Sequence, residues 1–441
     1  MAASVFDSPL YAKLFPTGEA GRLFSDSAAI RAMLLVEGAL AKVQGQAGVI
    51  PEVSAAAIHR ASLEIQIDPG ALAEGTGRNG VCIRALVSAF RAEMNAPEHA
   101  QYVHWGATSQ DIIDTGLMLR LRQLLSLAEA DLRALLDQLA QMADAHAETP
   151  MAARTYGQVS TPTTWGAVVA QWGMPLADAL EALPGLRAAA LWVSLSGASG
   201  TASALGAEAP ALRAALAEGL GLFDPGRSWH TDRGPILRIT DWIAGVTATL
   251  GNMGSTLSAL SASGIEEIRF NVAGGSSTMP QKQNPVQAET LIALAHQTYG
   301  LQGTLRAAGP HQHQRDGAAW FSEWMALPQI ALSCAAALQI ANQISQSLAP
   351  DTRRMKACLT EGLGLMQAEA LSFALADQMP RAQAQAAVKG LCARALAEGI
   401  PLQTLARDAY PDLNERALDP LFNLGQAPAD ARAFAARVGT F

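Results

Sequence analysis

Apolar residues recur at three- and four-residue spacings along most of the chain, the period of an amphipathic helix. From Ser25-Asp26 onward, Ile30, Met33, Leu34, Leu40 and Val43 share one helical face, and Gly48 and Pro51 close it. Shorter helices are predicted over roughly 53–65 and 80–95. Thr108 followed by Asp111 resembles a capping box. It opens the longest periodic run, which holds Gly116 as its sole glycine and meets no proline before Pro150. Leu117, Leu119, Leu121, Leu124, Leu125, Leu127, Leu132, Leu135 and Leu136 crowd that span. A helix of about 40 residues is roughly 60 Å long, so it must run through a long bundle or a subunit interface. Further helices are predicted from Thr161-Pro162 to about Glu181, from Pro235 toward Ser263, from Pro285 to about 307, and from Arg315-Asp316 to about Leu348, with a kink at Pro328. Five short helices are expected after Pro350-Asp351. No alternating strand pattern of any length and no internal repeat is visible. The pattern predicts an all-α fold of three helical domains: an N-terminal one over 1–107, a central bundle of long helices over 108–350 and a small C-terminal one over 351–441.

Composition sharpens this. Half of the 441 residues are hydrophobic and only 5% are aromatic, so the core is built mainly from Ala and Leu, both strong helix formers. The net charge of −8 gives no basic field, which argues against nucleic acid as a partner. Anion binding must then depend on local cations in a pocket. No apolar run approaches the ~20 residues of a membrane span, and no basic region followed by an apolar run marks a signal peptide. The four cysteines, Cys82, Cys334, Cys358 and Cys392, form no CxxC pair and read as free thiols in a reducing compartment, so a cytoplasmic location is expected.

Three polar, glycine-containing loops interrupt the helices, at 102–111, 153–163 and 271–285. The third carries Gly274, Gly275, Ser276, Ser277, Pro280, Lys282, Asn284 and Pro285. Asn284 suits an N-cap and Pro285 the first helical position. Hydroxyls, backbone N–H groups, a cation and a helix N-terminus together favour an anion. Arg154, Lys282 and Arg315 are the candidate cations, with Arg78 a weaker one; Arg154 and Arg78 can equally be structural ion pairs. His311 and His313 stand two apart, so on a helix they face different sides, and no cysteine or carboxylate cluster joins them; no metal is expected.

The run Gly275-Ser276-Ser277-Thr278-Met279-Pro280-Gln281-Lys282-Gln283-Asn284 matches in full the signature of the fumarase/aspartase superfamily, Gly-Ser-Ser-x-Met-Pro-x-Lys-x-Asn. The other two loops fall in the order of that superfamily's remaining signature segments, so the resemblance covers essentially the whole chain. It implies a homotetramer whose long helices pack into one bundle, with each active site shared by loops of three subunits. It implies a carboxylate substrate and neither a metal nor an organic cofactor. A base removes a proton beside a carboxylate, and the aci-carboxylate formed needs preorganised positive potential. The resemblance places the base on Ser276 and alkoxide stabilisation on Lys282. It places carboxylate binding on Lys282 and Asn284 and further substrate contacts on Ser277, Met279, Thr108 and Ser109; Thr108 can also serve as an N-cap, and His104 either contacts substrate or packs against the loop.

The middle loop narrows the reaction. Many superfamily members read Arg-Thr-His there, with the histidine assisting the leaving group. This chain reads Arg154-Thr155-Tyr156-Gly157-Gln158, which puts Arg154, Thr155, Tyr156 and Gln158 at the substrate. An amine must leave protonated and benefits from a general acid. A carboxylate, with a conjugate-acid pKa near ~4, needs no proton at neutral pH. The 194–206 stretch, the run His311-Gln312-His313-Gln314-Arg315-Asp316, and Trp320 with Trp324 also resemble the cycloisomerase branch of aromatic catabolism. That branch closes 3-carboxymuconate, or an analogue such as 3-sulfomuconate, into a lactone. The resemblance adds Arg315 to the substrate set. The competing expectation is a fumarate-releasing lyase such as adenylosuccinate lyase.

Overall fold

The computed structural model describes residues 4–270, 274, 275, 279 and 282–441. Helix dominates, as the periodicity predicts. The helices that position the candidate site are α1 (Asp26–Gln46), α2 (Glu52–Glu64), α3 (Ile83–Glu93), α4 (Ser109–Ala145), α5 (Trp165–Ala190), α6 (Ala209–Leu220), α7 (Gly234–Leu260), α8 (Val286–Ala308) and α9 (Gly317–Ser347). Five α-helices follow among the described residues, from Thr352–Cys358 to Ala427–Val438.

Two features depart from the sequence reading. Residues 153–163 are not an irregular loop before a helix. β1 (Pro150–Thr155) and β2 (Gln158–Thr164) form an antiparallel hairpin, and α5 begins only at Trp165. Thr155, Val159, Thr161, Thr163 and Thr164 supply the β-branched residues of that hairpin. A second small antiparallel pair joins β3 (Ile268–Phe270) to β4 (Leu348–Pro350). Moreover, α9 is long and apolar enough, by length and composition, to cross a membrane, contrary to the expectation that no such run exists. Most of its apolar window is buried inside the protein, as in a core helix, and α9 continues through Pro328.

The chain forms two compact units. One comprises the residues up to Asp131 with Ala179–Ala248 and Ala293–Ile340. In it α1 and α2 pack at close range: a Cβ on Gly38 would stand 1.9 Å from Ser62 Oγ, so a side chain there would displace α2. Ile30, Met33, Leu34, Leu40 and Val43 are all buried, as their spacing predicts. The other unit comprises Leu132–Asp178, Thr249–Ile292 and Ala341–Phe441. There Leu132, Leu135 and Leu136 are buried, and a C-terminal core gathers Leu371, Leu375, Leu391, Leu402 and Leu405. All four cysteines are free. Burial raises the thiol of Cys334 to about 12 and, helped by Glu267, that of Cys358 to about 11, so neither is a thiolate at neutral pH.

Candidate active site

The first polar loop ends at the N-terminus of α4. His104 and Gly106 take positive φ values of 65° and 73°. A Cβ on Gly106 would approach Leu205 Cδ2 to 2.4 Å, so both the backbone and its neighbour require glycine. Gln44 Nε2 donates to the Trp105 carbonyl at 2.7 Å, and Arg91 Nη2 to that of Val103 at 2.8 Å, which fixes the loop from two sides. His104 Nδ1 lies 2.7 Å from Oε1 of Glu37, a buried carboxylate in the apolar run of α1. Burial of the imidazole opposes its charge, but attraction to Glu37 outweighs that, and the His104 pKa is raised. The pair's stabilisation is therefore complete below the unfolded value of about 6.5 and is lost as pH rises through the folded one. Glu37→Gln removes the raising charge and leaves burial to dominate. An NMR titration should then give a His104 midpoint below the wild-type one; an unchanged midpoint would refute the pairing.

Asp111 makes one half of the expected capping box, accepting from the Thr108 N–H, while its own N–H donates to the Thr108 carbonyl rather than the hydroxyl. Its Oδ2 accepts from the Thr108 N–H at 3.1 Å and the Gly197 N–H at 2.9 Å. Its Oδ1 accepts from Ser194 Oγ at 2.8 Å, the Ser196 N–H at 2.9 Å and His230 Nε2 at 2.9 Å. The glycine-rich 194–206 segment is thus tied to the start of α4. Burial opposes the charge of Asp111, and the bonds from His230, Thr108 and Ser196 overcome it and lower the pKa. One turn on, Asp114 meets Arg233, whose Nη1 and Nη2 lie 2.7 and 3.1 Å from the two carboxylate oxygens. Arg233 also grips Glu323 through Nε at 2.8 Å and Nη2 at 2.6 Å, and all three side chains are buried.

Arg315, just before α9, reaches this platform. Its Nε donates to Gln110 Oε1 at 3.0 Å, and its Nη2 donates to Thr108 Oγ1 at 3.0 Å and the Ala198 carbonyl at 3.3 Å. All three acceptors are neutral, and Arg315 is exposed and forms no ion pair among the described residues. The structure therefore brings Arg315 onto Thr108, with Ser109 next to Thr108 in the chain and His104 four residues before it. Arg78 is placed differently, in an exposed pair with Glu74 at 2.6 Å. His311 and His313 join no group of three or more potential metal ligands among the described residues.

The second and third loops belong to the other compact unit. Thr155 pairs with Gln158, leaving Tyr156 and Gly157 as a two-residue turn with φ of 53° and 76°. Positive φ at both positions is the type I′ pattern, which favours Asn-Gly and strains a bulky residue. The Tyr156 side chain is fully exposed at the tip. Arg154 Nη1 lies 2.6 Å from Oε2 of the buried Glu267, so its charge already has a partner. Arg154, Val159, Ser160 and Thr161 line a cavity of about 730 Å³ with Arg354 and Glu361. In the third loop Gly274 and Asn284 exchange backbone hydrogen bonds of 3.1 and 2.8 Å, which pin its base. Asn284 is thereby used in a bridge, and α8 starts at Val286 with the Pro285 carbonyl accepting from Glu289 N–H. The helix thus begins about one residue later than the proline suggests. Met279 and Lys282 are exposed. Ser276 and Ser277 lie outside the described residues.

Sequence reasoning missed Glu37, Asp114, His230, Arg233, Glu267 and Glu323. Glu37 alone had a visible signal, a single carboxylate within Met33-Leu34-Leu35-Val36 and Gly38-Ala39-Leu40. For the others the partners lie some 90 to 119 residues apart, beyond any local pattern.

Comparison with known proteins identifies the family. A family model described as a lyase matches residues 17–300. The chain belongs to this lyase family. It carries the fumarase/aspartase fold and motif that the third loop announces. As a lyase-family member it is 39% identical over 420 residues to a 3-carboxy-cis,cis-muconate cycloisomerase of Pseudomonas aeruginosa, covering 92% of this chain and 91% of that one. The crystal structure of 3-carboxy-cis,cis-muconate lactonizing enzyme from Pseudomonas putida superposes with a TM-score of 0.90 at 36% identity, covering 98% of this chain and 99% of that one. A nitrosuccinate lyase of Streptomyces davaonensis is 32% identical, covering 97% of this chain and 94% of that one.

Proposed function

We propose that this lyase-family chain is a cycloisomerase that interconverts 3-carboxy-cis,cis-muconate, or a close analogue such as 3-sulfomuconate, and its muconolactone. The observation that carries the reading is the nearly full-length likeness to cycloisomerases of that name. The chemistry fits. In lactone formation one substrate carboxylate oxygen bonds to an alkene carbon, and the adjacent carbon accepts a proton. Ser276 delivers that proton, and by microscopic reversibility removes it in ring opening. Lys282 stabilises the serine alkoxide, an electrostatic role in keeping with its exposed cation. Thr108, Ser109 and Arg315 hold one carboxylate, the arginine as a charge-assisted donor. Asn284, Ser277, Met279, Thr155, Gln158 and His104 complete the contacts. Arg154 acts at the rim, since Glu267 already balances its charge. The carboxylate leaves as an anion in ring opening, so no histidine is required where Tyr156 stands.

The enzyme works as a homotetramer in the cytoplasm, with loops of different subunits meeting at each site. A monomer in sedimentation velocity would contradict this. Likeness to a nitrosuccinate lyase keeps one other reading in view, a fumarate-releasing lyase. Loss of the conjugated-diene absorbance of 3-carboxymuconate, with no fumarate released from adenylosuccinate or nitrosuccinate, supports the cycloisomerase. Fumarate release without diene loss overturns it.

Tyr156 offers a separate test. Tyr156→Asn puts a residue that tolerates positive φ into the type I′ turn and should stabilise the protein by up to ~1 kcal/mol. The same change removes the aromatic group from the substrate and should lower kcat/KM. Thermal melts and steady-state kinetics should therefore move in opposite directions; a loss in both would mean that the tyrosine serves the fold.

A further inference from the structure

Arg315 differs from most arginines of this chain in being held without being neutralised. Its three acceptors are the Gln110 amide, the Thr108 hydroxyl and the Ala198 carbonyl. Gln110 is the buried one, fully shielded from solvent on the first turn of α4. Its Nε2 donates to Asp114 Oδ2 at 3.2 Å and to the His230 carbonyl at 2.9 Å. Both partners only accept, so the amide has one workable orientation, and its Oε1 must face Arg315. Asp114 is in turn clamped by Arg233, which Glu323 holds from the other side. The orientation of one exposed guanidinium is thus set by a buried chain of four side chains.

We propose that Gln110 is a positioning residue for substrate binding: it fixes Arg315 through a neutral oxygen, so that the guanidinium keeps its full charge for a substrate carboxylate. An ionised carboxylate at position 110 would hold Arg315 as firmly but cancel the charge that the substrate needs. It would also set an anion against Asp114 and the His230 carbonyl. A glutamine satisfies both neighbours, because its amide has a donor end and an acceptor end. This inference rests on the reading that Arg315 binds the carboxylate of 3-carboxymuconate.

Gln110→Met keeps volume and loses the amide. With the hydrogen bond to a charged group gone, KM for 3-carboxy-cis,cis-muconate should rise roughly tenfold, while kcat stays within about threefold because the proton-transfer group is untouched. Gln110→Glu supplies the check that a packing role would not pass. A protonated glutamic acid keeps an acceptor toward Arg315 and a donor for one of the two buried acceptors, whereas the ionised form has no donor at all. Its KM, relative to wild type at the same pH, should therefore fall as the pH is lowered from 8 to 6. An unchanged KM in Gln110→Met, a Gln110→Glu KM ratio independent of pH, or loss of the folded circular-dichroism signal in Gln110→Met overturns the inference. Absence of turnover by the wild-type protein would instead sink the functional reading, so the two failures are distinct.

Discussion

Ser276→Ala is expected to lower kcat by roughly 10²- to 10⁴-fold, the usual contribution of a positioned proton-transfer group. KM should change little, because Arg315, Thr108 and Lys282 remain to bind the carboxylates. A serine hydroxyl is a poor base at its ordinary pKa. It becomes useful only where positive potential stabilises the alkoxide. Lys282, six residues on in the same loop, is the nearest cation in sequence. Lys282→Met should accordingly depress kcat as well, and in the double variant the two losses should fail to add, since both act on one proton transfer. Stopped-flow or steady-state loss of diene absorbance reads this directly. Full turnover by Ser276→Ala would assign the proton to another residue.

Arg233→Met should be the most damaging single change to the fold, costing about 3–5 kcal/mol. It leaves Asp114 and Glu323 buried, close together and without a counterion. Burial already raises the Glu323 pKa against the pull of Arg233, so removing the arginine drives it further up. Arg233 also lies over the Trp229 ring at 5.0 Å, and that cation–π attraction disappears with the guanidinium. Adding Asp114→Asn and Glu323→Gln to Arg233→Met should restore much of the stability by removing the stranded charges. Urea unfolding midpoints compare the three proteins. An Arg233→Met midpoint equal to wild type would show that the triad contributes nothing to stability.

The helical architecture was legible because its cause is local. A 3.6-residue period in Ala- and Leu-rich sequence, with Pro and Gly at the joints, states where helices run, and Ile30, Met33, Leu34, Leu40 and Val43 are buried as that period requires. The hairpin at 150–164 was not legible in that way. Its polar threonines and Tyr156-Gly157 turn read as a loop, because strand pairing supplies hydrogen bonds that composition does not reveal.

The candidate site divides along the same line. Its superfamily chemistry lay in one contiguous run, Gly275 to Asn284, and Tyr156 pointed to a leaving group that needs no acid. The sequence by itself thus determined the helix content, the superfamily and the set of cations to consider. Only the tertiary structure decided how those cations are used. It paired Arg154 with Glu267 and Arg78 with Glu74, and it left Arg315 on neutral acceptors with its charge available. The physical reason is that a charge's role depends on what lies within a few ångströms; Arg78 meets a carboxylate one helical turn away, but the neighbours of Arg154 and Arg315 come from more than 100 residues away.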